Sequence, residues 1–263
     1  MSMNKKPSTK VDARRVYETE GIYSARTICR KTQDGAREYA DELLSEKLDL
    51  VRTHLSTGLI VDLCCGTGDH LFKLCARERT GLGLDFSIPY VFSARKAAEE
   101  IGLSTITFAV ANAMALPLRT ASVGTLYSLS ALYQVPEIDR VMTEVSRVLA
   151  PGGRAILDLG NSNSLNALCC RWYPELPTMT AIPINRMIEL LKTNDLSLVE
   201  HRAFQILPLW ADRPAWLWPL LNPAWKRIMK KRVRGKMVDE WLSSSPALKQ
   251  FAFRHLIVAE KLQ

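Results

Sequence analysis

Ile60-Val61-Asp62-Leu63-Cys64-Cys65-Gly66-Thr67-Gly68-Asp69-His70-Leu71 is the stretch whose reading settles the fold of this chain. A short apolar run carries one acid, two glycines flank a threonine, and a helical pattern begins at once. The reading is a strand, a glycine-rich turn and a helix. Glycine lets the backbone pass close beneath a ligand, because no Cβ stands in the way. The amides that follow lie at a helix N-terminus, where they can receive a carboxylate. Taken alone, Gly66-Thr67-Gly68 after a strand is a weak signal, because many strand-to-helix turns carry glycines for packing alone.

Thr80-Gly81-Leu82-Gly83-Leu84-Asp85-Phe86-Ser87 supplies the second half of the argument. Another short apolar run closes on a carboxylate about 20 residues past the loop, the spacing at which an acid on a second strand takes ribose hydroxyls. A dinucleotide site shares that logic but wants a third glycine three residues after Gly68, where this chain has Leu71. Asp62 inside the loop can order it and face a cationic amino-acid ligand. The expected cofactor is adenosylmethionine, with NAD a minor alternative. Phe108 to Leu118 then reads as a strand followed by a turn into Pro117. Asn112 is placed to bond the adenine amine, with Ala113 and Met114 flanking the ring. Val145 to Leu157 reads as a helix end, a Pro151-Gly152-Gly153 turn and another strand. The proline is expected to stop the helix, and the glycines to supply the positive φ of the reversal.

With VDLCCGTGD, GLDFS, ANAMALPL and EVSRVLAPGG in that order, the chain resembles the class I adenosylmethionine-dependent methyltransferases. Within them it is similar to the broad group that includes the ubiquinone and menaquinone biosynthesis enzymes. The likeness runs from Leu59 to Gly160, less than half of the chain. It implies that Asp62, Gly66 and Gly68 hold the methionine moiety, Asp85 the ribose, and Asn112 with Ala113 the adenine. Ser130, just past the fourth strand, would sit beside the sulfonium. Cys64, Thr67 and Phe86 belong to the same set of expected cofactor-binding positions. Cys64 and Cys65 stand where the family commonly has other small or apolar residues, and Asn112 where it often has Asp.

Strand signals fall near 59–64, 80–85, 105–111, 123–129, 154–159, 197–206 and 251–260, and helix signals near 36–54, 69–79, 88–101, 134–149 and 184–194. Their alternation predicts an α/β fold with a doubly wound, mostly parallel, Rossmann-like sheet of seven strands. No helix pattern directly follows the sixth strand, so the last strand is expected to be antiparallel. A single domain is expected over 1–263: a tail over 1–15, a lid or helix over 16–55, the cofactor core over 56–206, an insertion over 207–249 and the last strand over 250–263. The N-terminal segment brings Tyr17, Tyr23 and Tyr39 among basic residues, and reads equally as a lid over the cofactor or as a surface helix. The first ten residues lack the apolar stretch of a signal peptide. No apolar run approaches the ~20 residues of a membrane span. Cys29, Cys64, Cys65, Cys75, Cys169 and Cys170 show no metal-ligand spacing and read as reduced thiols packed as small apolar groups, which points to the cytoplasm and to no metal.

The insertion opens with Trp210, Trp216, Trp218 and Trp225 between prolines, then turns basic at Lys226, Arg227, Lys230, Lys231, Arg232, Arg234 and Lys236 with no acid among them. The formal net charge of +8 is expected to concentrate there. Such a segment suits peripheral contact with the inner membrane surface or a lipid-linked substrate, or else a solvated basic helix with buried tryptophans. RNA is a weaker alternative. After the fourth strand, Ser128-Leu129-Ser130-Ala131-Leu132-Tyr133-Gln134 contains neither a Pro-Pro-aromatic turn nor a Pro-Cys nucleophile. This disfavours base methylation of nucleic acid and leaves oxygen or carbon of a small-molecule or lipid-linked metabolite. A non-catalytic cofactor-binding module is the third reading. Tyr133 and His70 are the candidate catalytic residues, while His54 is expected to point away and His201 and His255 to be structural. The closing strand leans toward bacterial metabolism. Oligomeric state and the atom methylated stay open.

Overall fold

The computed structural model describes residues 36–75, 79–173 and 179–263. The expected tail, and the lid segment as far as residue 35 with Tyr17 and Tyr23, lie outside them. The chain runs α1 (Ala36–Thr53), β1 (Ile60–Leu63), α2 (Asp69–Leu74), β2 (Gly81–Asp85), α3 (Ile88–Glu100), β3 (Ile106–Val110), β4 (Val123–Ser128), α4 (Ile138–Val148) and β5 (Leu149–Gly160). It continues with α5 (Leu165–Cys170), α6 (Ile184–Thr193), β6 (Leu196–Phe204), α7 (Trp218–Leu221), α8 (Ala224–Met229), the short strands β7 (Arg232–Val233) and β8 (Lys236–Met237), α9 (Val238–Ser243) and β9 (Arg254–Lys261).

Seven strands form one sheet in the order β3-β2-β1-β4-β5-β9-β6. β9 is antiparallel to both neighbours, while the β1, β2, β3, β4 and β5 pairings are parallel. The doubly wound sheet with an antiparallel last strand is therefore the one the sequence predicts. Strand periodicity sends alternate side chains to opposite faces. Ile60, Ile156 and Leu256 pack with α1, α2 and α3, while Val61, Leu157 and Ile257 pack with α4 and α6. The chain order reverses between β1 and β4, which pair with each other, so ligands are expected over their carboxyl ends.

One turn differs from expectation. α4 ends at Val148, three residues before Pro151, and Leu149 is already extended. Pairing with β4 steps from Val123–Leu149 to Thr125–Arg154, so Ala150 to Gly153 form an irregularity inside β5 rather than a loop before it. Gly152 takes the expected positive φ, of 73°. The proline marks this bulge, and sheet pairing rather than proline ends the helix.

The insertion also differs. Its basic run is matched by acids on α1: Lys230 pairs with Glu38, and Arg232 with Glu42 and Glu46. Lys236 pairs with Glu240 of α9, and Lys226 is buried. Among the described residues, Arg227, Lys231 and Arg234 are the exposed cations of 226–236 outside these ion pairs, and Arg227 still lies close enough to Glu38 to help lower its carboxyl. The acid partners of the run lie far back in the sequence, where local reading does not connect them. Trp210 donates to Asn166 Oδ1 at 2.8 Å and Trp225 packs on the core, whereas Trp216 and Trp218 are 66% and 55% exposed.

Candidate cofactor and acceptor site

The expected cofactor residues gather at the carboxyl ends of β1, β2 and β3. Asp62 ends fully buried on β1, and among the described residues neither of its carboxylate oxygens has a hydrogen-bond partner. Burial pushes its carboxyl well above the usual range; the nearby Tyr127 hydroxyl opposes the rise and Asp85 adds to it. Cys64 follows with a φ of 62°, a left-handed conformation costly outside glycine and concentrated at functional turns. Burial raises the thiols of both Cys64 and Cys65, so neither is a nucleophile at neutral pH.

Gly66 takes a φ of 53° with open space where a Cβ would lie, and its amide donates to Asp85 Oδ2 at 2.9 Å. The Ser87 amide donates to Asp85 Oδ1 at 2.9 Å. Each Asp85 oxygen keeps acceptor capacity for a further donor. Burial raises the Asp85 carboxyl, and the amides of Ser87, Gly66 and Phe86 resist that rise. Gly68 caps α2 with a φ of 81°, and a Cβ there would lie 2.6 Å from the Phe108 ring. Gly68→Ala is expected to cost about 1–3 kcal/mol from backbone strain and overpacking, read as a lower denaturant midpoint at unchanged m. Thr67 bonds Asp69 Oδ2 at 3.0 Å, and half-buried Phe86 follows Asp85. Beyond β3, Asn112 is exposed and its Oδ1 accepts from the Met114 amide at 3.0 Å, while Ala113 is buried. That bond forms the turn expected to face adenine. An open space over Gly66, a carboxylate with spare acceptor capacity and a buried acid lacking a partner suit a nucleoside joined to an amino acid.

Ser130 follows β4 with a φ of 62°. This turn points its amide at Asp158 Oδ2, 2.9 Å away on β5. Three residues that sequence reading missed meet there. Lys47 from α1 donates to Asp158 Oδ2 at 2.6 Å and to Ser130 Oγ at 2.8 Å. Arg254 at the start of β9 donates to Asp158 Oδ2 at 2.8 Å, to Gln205 Oε1 at 3.0 Å and to the Tyr133 hydroxyl at 3.2 Å. The Arg254 guanidinium also lies 4.9 Å from the Tyr133 ring centroid, within reach of a cation–π contact. Burial raises the Asp158 carboxyl, but Arg254 and Lys47 together outweigh it and hold that group below its ordinary value. Burial and Arg254 lower Lys47 to about 8, against the pull of Asp158. Signals existed. Asp158 interrupts a buried apolar strand, and Lys47 lies one helical turn from Leu43 and Val51 on the buried face of α1.

Tyr133 is thus brought together with Ser130. His70 is half-buried in the first turn of α2, beside the glycine loop. His54 bridges Glu200 and Arg154 at 2.7 and 3.0 Å. His201 and His255 bond each other at 2.7 Å, and burial lowers them to about 3 and about 4. Both are neutral structural residues at physiological pH. Cys169 is buried in a small apolar cluster with Tyr173 and Leu217, and the adjacent Cys170 is buried as well.

Residues 60–153 match the family described as a methyltransferase domain. A demethylmenaquinone methyltransferase of Lactococcus lactis subsp. lactis is 41% identical over 106 residues, covering 38% of this chain and 41% of that protein. Methyltransferase GfsG of Streptomyces halstedii is 33% identical over 127 residues, covering 47% of this chain and 44% of its own. The chain thus spans half or less of the length of these curated relatives. A solved geranyl diphosphate methyltransferase, in complex with GPP and sinefungin, superimposes with a TM-score of 0.59 at 20% identity, over 92% of this chain and 87% of that one. By this match residues 60–153 carry a methyltransferase domain, and the fold around them is that of the solved geranyl diphosphate methyltransferase.

Proposed function

We propose that this protein is an adenosylmethionine-dependent methyltransferase acting on oxygen or carbon of a small-molecule or lipid-linked metabolite. The observation that carries the reading is the convergence, at the switch point of the sheet, of the Gly66 loop and Asp85 with the Ser130, Tyr133 and Arg254 group on the neighbouring strands. In this reading Asp62, Cys64, Gly66, Thr67 and Gly68 surround the methionine moiety. Asp85 takes the ribose beside Phe86, Asn112 and Ala113 border the adenine, and Ser130 lies next to the sulfonium. Bound adenosylmethionine supplies a methyl group on a cationic sulfur. The chain's own contribution is to align acceptor and methyl group and to exclude water.

A groove of about 460 Å³, lined by Leu165, Leu168, Ile206, Leu248 and Phe251 together with Ser162, Asn163, Ser164 and Arg171, lies by the residues that follow β5 and β6 and supports an acceptor with an apolar part. No helix among the described residues is long and apolar enough to cross a membrane. Exposed Trp216 and Trp218 support contact of the insertion with a lipid surface, but the pairing of Lys230, Arg232 and Lys236 leaves little free charge to drive it. The same pairing weakens the RNA reading, whose signature would be binding that falls steeply with salt.

The test is incubation with methyl-labelled adenosylmethionine and a bacterial extract, followed by separation into butanol, aqueous and nucleic-acid fractions. Label is expected in butanol. Label confined to the aqueous fraction removes the lipid-linked acceptor, and label confined to nucleic acid reverses the choice of substrate class.

A further inference from the structure

We propose that Lys47 is the proton acceptor of this site, working through the Ser130 hydroxyl, and that the methyl acceptor is a molecule with an acidic hydroxyl, a phenol or an enol. The proposal rests on the methyltransferase reading and deepens it. Lys47 is 3% exposed and Asp158 is fully buried, and among the described residues the hydrogen-bond partner of the ammonium that is not fully buried is Ser130, which is half-buried. The hydroxyl lies 2.8 Å from Nζ. It can donate to a neutral Lys47 or to Asp158 Oδ2, 3.4 Å away, when Lys47 is charged.

The charge balance points the same way. Asp158 is one carboxylate facing two cations, Lys47 and Arg254. With Lys47 protonated the buried group carries one net positive charge, which is costly without an anion. With Lys47 neutral, Asp158 and Arg254 balance. Burial and the neighbouring guanidinium therefore bring Lys47 to about 8, where a lysine exchanges its proton near neutral pH. The charged groups acting on Lys47 among the described residues are Asp158 of β5 and Arg254 of β9. Glu46 of α1 is engaged by Arg202 of β6 and by Arg232 of β7, and His255 of β9 beside Asp158 is neutral.

In the step proposed, the acceptor O–H proton moves to Ser130 Oγ as the Ser130 proton moves to Lys47 Nζ. The electron pair left on the acceptor oxygen, or on a carbon conjugated with it, forms the bond to the methyl carbon. The carbon–sulfur bond breaks with its pair remaining on sulfur. Lys47 thereby becomes cationic as the acceptor becomes anionic, and the cluster's net charge opposes the charge that develops. Lys47 then gives its proton to water. An alcohol of ordinary acidity is too weak an acid for this base, and so acidic hydroxyls are selected.

Two readouts test this. Lysine labelled with ¹³C and ¹⁵N, followed by NMR in the adenosylhomocysteine complex, is expected to show Lys47 titrating near pH 8 while surface lysines titrate above 10. Label transfer from adenosylmethionine to the accepting extract fraction is expected to rise with pH and level off above about 8. Lys47→Met should lower it by 10²- to 10⁴-fold and abolish that pH limb, with adenosylhomocysteine affinity unchanged. Should Lys47→Met not fold, Ser130→Ala serves in its place, lowering transfer at least tenfold while the Lys47 titration persists. A Lys47 that titrates with the surface lysines, or a Lys47→Met protein with the wild-type pH profile, overturns the proposal. Absence of label from every fraction sinks the methyltransferase reading instead, whatever the NMR titration shows.

Discussion

Asp85→Ala is expected to weaken adenosylhomocysteine binding by at least about 100-fold, measured by calorimetry at pH 7.5. Hydrogen bonds to a charged acceptor are worth about 1.5–3 kcal/mol each, and tenfold in affinity is about 1.4 kcal/mol. Two ribose hydroxyls on one carboxylate therefore account for 10² to 10⁴. The substitution also strips the Gly66 and Ser87 amides of their acceptor, so the loop loses the group that fixes it against β2. Asp85→Asn keeps one carbonyl oxygen but turns an amide NH₂ toward a backbone N–H, and should recover only part of the affinity. Undiminished binding by Asp85→Ala would remove the ribose role and, with it, the proposed orientation of the nucleoside.

The second large effect is on stability. Asp158→Asn is expected to destabilise the fold by about 3–5 kcal/mol, because it leaves the Lys47 and Arg254 cations buried without their shared carboxylate. The denaturant midpoint should fall with little change in m. The pH dependence has a definite sign. The Asp158 carboxyl is held below its ordinary value in the folded protein, so its stabilisation is complete above the unfolded carboxylate range. It disappears as pH falls through the lower folded value. The gap between wild type and variant should thus be full at neutral pH and narrow only in strong acid. Equal midpoints at pH 7 would show that the two cations find other partners, and that Asp158 does not hold the site together.

The two halves of the site differ in how they are written into the chain. Asp62, Gly66 and Gly68 lie within one strand, turn and helix start, and Asp85 closes the next strand. Each of those signals is local, because a parallel strand followed by a helix must turn at a fixed place. Lys47, Asp158 and Arg254 come from a helix, a central strand and the last strand, separated by 111 and 96 residues across their contacts with Asp158. No spacing rule joins them. Tyr133 was legible beside Ser130, but the guanidinium that addresses its hydroxyl was not. The same reasoning covers the insertion: its basic run is plain in the sequence, whereas Glu38, Glu42 and Glu46 become its counter-charges only once α1 packs against α8 and the β7–β8 turn. The bulge at Ala150 to Gly153 was misread for a related reason. A Pro-Gly-Gly sequence specifies a local reversal, but the partner strand decides whether pairing resumes before or after it.

The position of β9 has a consequence for how the molecule is made. A ribosome delivers β5 and β6 well before β9, yet the finished sheet places β9 between them. Throughout that interval each of the two waiting strands exposes a row of unsatisfied backbone groups that another nascent chain could pair with. Arg254, the first residue of β9, arrives with the strand that closes this gap. Competence of the site and protection from aggregation are therefore reached in a single late event, and a chain stalled before residue 254 would be both inactive and sticky.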